Sequence, residues 1–184
     1  MRINWVFSAQ YNPGPEIDLK AISNTGPTWG SYRSWRACNT DNVICHDKQK
    51  AKELLQRAFQ AVCNFYLPKK MYQDLERPVG VKLYEGDYHE LVNDLEDIIS
   101  MHLAASNSDI VLLAGFDLGS PGPVNDRLTQ HRIQNRLGLI HKVIKDHSTV
   151  QWVLVDHTKP LANAYTQLTN LTCDSLNNVL QLLK

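Results

Sequence analysis

A continuous apolar run, Asp109 to Gly115 (DIVLLAG), and a second strand-like segment, Val150 to Val155 (VQWVLV), are separated by one long segment with helical spacing, and this constrains the fold more than any other feature of the chain. An uninterrupted aliphatic run of that length reads as a strand covered on both faces. Strand, helix and strand in succession make a parallel pair, because a crossover is needed to return the chain to the same edge of a sheet. The intervening segment, Pro123 to His147, carries Leu128, Ile133, Leu137, Ile140, Val143 and Ile144 along one helix.

The alternation extends in both directions. Ile3 to Ala9 reads as a first strand ended by Asn12-Pro13-Gly14-Pro15, with a short helix after it at Glu16 to Ile22. The stretch from Asn24 to Asn42 shows neither period and is expected to be a loop with at most one helical turn. Val43 to Cys45 is a possible second strand. Ala51, Leu54, Leu55, Ala58, Phe59, Val62 and Phe65 then predict a helix from Lys48 to Leu67, stopped by Pro68. Val79 to Tyr84 predicts a strand, Leu91, Leu95, Ile98, Ile99 and His102 a helix, and the chain closes with a short strand at Leu168 to Thr172 and a helix at Asp174 to Leu183. The expected fold is α/β: one domain over residues 1–184, with an open, mostly parallel, Rossmann-like sheet of five or six strands and helices on both faces.

Composition narrows the functional classes. A 43% apolar chain of 184 residues can build a core without disulfides or a structural metal. Nineteen basic and nineteen acidic residues give no global field, so a nucleic-acid partner is not favoured. No segment approaches the roughly 20 apolar residues of a membrane span, and the start has too short an apolar run for a secretory signal, so a cytoplasmic protein is expected. Cys38, Cys45, Cys63 and Cys173 form no CxxC pair and read as reduced, buried thiols. The seven histidines form no HxH or HExxH, so no metal site is expected and no cofactor is implied.

In open α/β sheets ligands bind beyond the carboxyl ends of the strands. Polar residues are expected there: Ser8 after the first strand, His46 and Asp47 after the second, Glu85 after the third, Asp117 after the fourth, Asp156 and His157 after the fifth. Helix capping accounts for part of this set, Asp87 above all. The segment Gly26 to Arg36 joins glycines, hydroxyls, three aromatic rings and two arginines. It suits an anion cradled by the backbone at Gly30 and Ser31, gripped by Arg33 or Arg36, with Trp29 or Trp35 over a base. A second glycine-rich turn, Gly115 to Gly122, places Asp117 between Gly115 and Gly119, where a carboxylate can take hydroxyl pairs or act as a base. The competing interpretations are an aromatic plug with solvated arginines for the first segment and an Asx-turn for the second.

The block WGSYRSWRACNTDNVICHD, Trp29 to Asp47, resembles uncharacterised Rossmann-like proteins encoded by tailed bacteriophages, which carry a similar Trp-Gly-Ser-x-x-x-Trp-Arg followed by Cys-His-Asp. The resemblance covers about the first quarter of the chain. It implies a bacterial cytoplasm and a role in phage metabolism or counter-defence, and it assigns no catalytic residue. The expected function is binding of a nucleotide or nucleotide-derived small molecule, with cleavage or transfer of a glycosyl or nucleotidyl group as its enzymatic form and Glu85, Asp117, Asp156 or His157 as the acting groups. The alternatives are a non-catalytic phage protein that sequesters a signalling nucleotide or blocks a host protein, and an assembly protein whose aromatic loop is an interface. Homo-oligomers are compatible with each.

Overall fold

The computed structural model describes residues 1–11, 13, 18–84, 95–121 and 126–183. Eight strands form one sheet: β1 (Ile3–Phe7), β2 (Thr28–Ser31), β3 (Asn42–Ile44), β4 (Asn64–Pro68), β5 (Lys82–Tyr84), β6 (Ile110–Ala114), β7 (Gln151–Val155) and β8 (Leu171–Asp174). Their order is β5-β4-β3-β2-β1-β6-β7-β8, and every pairing is parallel. Among the described residues seven α-helices connect and flank them: α1 (Leu19–Ser23), α2 (Tyr32–Cys38), α3 (Lys48–Gln56), α4 (Lys69–Asp74), α5 (Leu95–Ala105), α6 (Arg127–Asp146) and α7 (Leu176–Leu182).

Side-chain alternation builds two cores. Val6, Val111, Leu113, Trp152 and Leu154 face α5 and α6, whereas Trp5, Phe7, Leu112, Ala114 and Val155 face α1, α2 and α7. The chain winds outward from β1 to β5, crosses back to β6 on the other side of β1, and winds outward again to β8. Reversal of winding sends the chain to opposite faces after β1 and after β6, which opens a crevice between those two loops at the carboxyl edge.

Several expectations are corrected. The sheet has eight strands because β2 and β4 were not foreseen. The segment read as a loop is β2 followed by α2, started by a capping box between Ser31 and Ser34 and ended by Asn39 in the left-handed region at φ 55°. The helix expected to reach Leu67 stops at Gln56; Ala58 turns left-handed at φ 52°, and Phe65 and Leu67 alternate as β4 into the core beneath α3. Pro68 does not stop a helix but ends β4 in extended backbone, at ψ 144°, directly before α4. Leu176–Leu182 is capped by Ser175, one residue beyond the expected Asp174. The strand at Val79 shortens to Lys82–Tyr84, and Glu85, Asp87 and Leu91 lie outside the described residues.

Candidate functional site

Among the described residues, two hollows flank the β1/β6 crevice at the carboxyl edge. The larger, about 650 Å³, lies over β1 to β3 and is lined by Ala9, Gln10, Tyr32, Arg33, Asp47, Lys50 and Glu96. The smaller, about 190 Å³, lies over β6 and β7, where Gly115, Asp117, Asp156 and His157 meet Tyr11 and Lys159. The loop after β1 contributes to both, through Gln10 on one side and Tyr11 on the other.

In the larger hollow each side chain is held by the element that starts there. Asp47 caps α3 by accepting the Lys50 N–H at 2.8 Å. The Lys50 ammonium pairs with Glu53 at 3.1 Å and stands 5.0 Å over the Tyr32 ring. Glu96, in the first turn of α5, accepts the His46 N–H at 2.9 Å, and His46 Nδ1 lies 2.9 Å from the Tyr84 hydroxyl. Arg33 is exposed in the first turn of α2, and among the described residues no carboxylate pairs with it. Burial pushes the Cys45 thiol beneath this floor up to about 12, and burial followed by the charge of Glu96 raises the Tyr84 hydroxyl, so both stay protonated at neutral pH.

The loop that frames the hollow is pinned from below. Asp97, fully buried, accepts the Ala9 N–H at 3.0 Å and the Ser8 hydroxyl at 3.1 Å, and Arg136 of α6 reaches it at 3.4 Å. The Arg136 guanidinium also lies 5.8 Å from the centre of the Phe116 ring.

The other residues singled out by sequence separate accordingly. Trp29 belongs to β2; its indole N–H donates to Asn4 Oδ1 at 3.0 Å and its ring packs 5.4 Å from that of Tyr66, so it does not lie over the hollow. Trp35 packs on Phe59 and Tyr32. Gly30 is small because a Cβ there would meet the Ser34 Cβ at 2.7 Å, and Ser31 is buried as the cap of α2. Neither forms an open anion cradle. Ser8 is likewise buried and spent on Asp97. Arg36, one turn beyond Arg33, is exposed and does not line the hollow.

Around the smaller hollow, Gly115 adopts φ +77° and Tyr11 packs where its Cβ would be. Asp117 makes the Asx-turn, accepting the Gly119 N–H at 3.1 Å, and its other oxygen binds Lys159. The Lys159 hydrogen bond, before any other cause, holds the Asp117 carboxyl below the usual range, so it is ionised and partnered. Gly119 is bridged to Leu161 of the next loop and is not free to cradle a ligand. Asp156, left-handed at φ 54°, accepts the Leu176 N–H at 2.8 Å and fixes the start of α7. His157 lines the hollow with Nε2 buried and without a hydrogen-bond partner among the described residues. Glu85 lies outside them.

Asp47 was visible in sequence as a polar residue after a strand, but Lys50, Glu96, Asp97 and Arg136 were not. Their positions had the ordinary look of helix-surface charges. A wider hollow of about 800 Å³ at the amino edge is less suited to a ligand: the amides of its Asn4, Asn42 and Asn64 are already hydrogen-bonded to the protein. Among the described residues no three His, Cys, Asp or Glu side chains converge as a metal site, and no helix is long and apolar enough to cross a membrane. Cys38, Cys45, Cys63 and Cys173 are free thiols; Cys38 and Cys45 are buried, but Cys63 is half-buried and Cys173 exposed, contrary to the expectation that all four are buried.

The topology and the position of the crevice define a Rossmann-like α/β protein. Beyond that class, comparison with known proteins finds no matching family model, no similar curated sequence and no similar solved structure.

Proposed function

We propose that the chain binds a nucleotide or nucleotide-derived small molecule in the larger hollow. The observation that carries this reading is Arg33: a guanidinium that pairs with no carboxylate among the described residues, on the rim of a 650 Å³ cavity at the carboxyl edge. That volume falls within the range of roughly 300 to 1,000 Å³ typical of small-molecule sites. Arg33 grips the phosphate, Glu96 and Asp47 accept ribose hydroxyls, and the Gln10 amide meets the base edge.

Binding without turnover is favoured over catalysis by one feature. Asp117 is paired with Lys159 and Asp156 holds the start of α7, so two of the carboxylates expected to act are already engaged. A sequestering protein needs neither.

Native mass spectrometry of protein expressed in bacteria, followed by calorimetry with ATP, NAD, ADP-ribose and a cyclic dinucleotide, tests the reading. A copurified or titrated nucleotide is expected to bind the parent, and Arg33→Ala is expected to weaken it about ten- to a hundredfold, the worth of one charge-assisted hydrogen bond. Arg36→Ala serves as the neighbour that leaves affinity unchanged. If none of these compounds binds below millimolar concentration, the reading is wrong.

A further inference from the structure

The carboxyl-terminal ends of α5 and α6 converge on two imidazoles that line neither hollow of the carboxyl edge. His102 lies in the last turn of α5, and His147 follows the last residue of α6. His102 Nδ1 stands 2.9 Å from His147 Nε2, with ring centroids 4.9 Å apart and planes inclined at 61°. Both side chains are half-buried, so the pair meets solvent while two packed helices fix its separation. The floor is apolar: the His147 ring meets the buried Trp152 edge-on, centroids 6.4 Å apart. No spacing rule reveals this pair, because its members lie 45 residues apart in the chain.

Distance, charge and protonation suit the pair to a metal cation. Nitrogen ligands about 2.0 to 2.1 Å from one ion lie about 2.8 to 3.0 Å apart at a right angle, and about 3.3 to 3.4 Å apart at the tetrahedral angle. The observed separation fits the right angle, the geometry of Cu(II) and Ni(II) rather than of Zn(II). Two helix carboxyl ends direct their partial negative charge at the same place, where a cation is favoured. Asp146, exposed beside His147, adds a full negative charge felt by both rings, opposed at His102 by the Lys142 ammonium with which Asp146 pairs. Burial, ahead of these charges, lowers both imidazoles below the usual histidine value, so both are neutral at pH 7 and able to act as ligands.

We propose that His102 and His147 bind one Cu(II) or Ni(II) ion as neighbouring ligands, with water and, once released from Lys142, the Asp146 carboxylate in the remaining positions. Each ring turns its nitrogen from the other ring to the ion. The hydrogen shared between the two nitrogens moves to the far nitrogen of the ring that carries it. Two metal–nitrogen bonds thereby replace one hydrogen bond, and no net proton is lost. Two protein nitrogens leave open positions, which makes the site reversible, and the ion clamps together the helices that hold Asp97 and Arg136.

Calorimetric titration of the full chain with nickel chloride tests the assignment. One ion per chain is expected with Kd below about 100 μM, and His102→Gln/His147→Gln is expected to weaken it at least about tenfold. His131→Gln, which removes an exposed imidazole elsewhere on α6, is expected to bind like the parent. At a nickel concentration about a hundredfold above Kd, the thermal midpoint of the parent is expected to rise by roughly 5 to 10 °C. Electron paramagnetic resonance of the parent with a substoichiometric amount of Cu(II) is expected to show splitting from two imidazole nitrogens, a readout that does not depend on the variant folding. Binding weaker than about 100 μM, equal binding by the double variant, or splitting from fewer than two nitrogens overturns the proposal. Arg33→Ala is expected to bind nickel like the parent, which keeps this proposal separate from the nucleotide hollow.

Discussion

Asp97 is the side chain on which the carboxyl edge depends. It is fully buried, receives the loop after β1 through Ser8 and Ala9, and balances Arg136 across the two helices of that face. Removing one member of a buried pair leaves the other charge uncompensated, so Asp97→Ala is expected to cost about 3 to 5 kcal/mol in urea unfolding. A loss under about 1 kcal/mol would show that Arg136 is adequately solvated on its own. This arrangement was invisible in sequence because Ser8 and Asp97 lie 89 residues apart, and an acid in the first turn of a helix has a sufficient local explanation in the helix dipole. Trp29, Gly30 and Ser31 misled for the opposite reason: glycine, serine and tryptophan next to arginines describe a binding loop and a tightly packed strand-to-helix turn equally well. Only Arg33, among the residues expected to grip an anion, reaches the hollow.

At the level of elements, α5 and α6 meet near their carboxyl-terminal ends through two imidazoles, His102 Nδ1 lying 2.9 Å from His147 Nε2. Burial, ahead of the opposing pull of Asp146 and the push of Lys142 or of the partner imidazole, keeps both below the usual value of 6.5. The unfolded chain therefore takes up protons before the folded one does. Stability is unaffected by this pair above pH 6.5 and falls as acid carries the solution from there through the lower, folded values. Thermal melts are expected to drop between pH 7 and pH 5, and less in His102→Gln/His147→Gln; equal drops would remove the pair as the cause. The strands on either side of α6 were legible because β6 is apolar without interruption and β7 is apolar from Trp152 to Val155. The stretch from α3 to β4 was not, since its apolar spacing fits a helix until Phe65 and Leu67, and pairing with β3 decides the outcome there.

For the whole molecule, the parallel alternation was readable from the runs themselves, whereas the order of strands was not, because nothing local states that β1 sits between β2 and β6. That placement makes the N-terminal half incomplete alone. A fragment ending at Ser106 retains β1 to β5 but lacks β6, the neighbour of Ile3 to Phe7 along their whole length. It is expected to aggregate in size-exclusion chromatography with light scattering, and a monomeric fragment with a cooperative melt would contradict the dependence. The same geometry sets a timetable for biosynthesis. The contact between Arg2 and Asp109 spans 107 residues, which at ordinary translation speeds of about 5 to 20 residues per second delays it by about 5 to 20 seconds after the first strand is made. Throughout that interval one edge of the strand destined for the deepest place in the protein is unclaimed, so the ribosome-bound chain, far more than the finished fold, is the form that needs a chaperone.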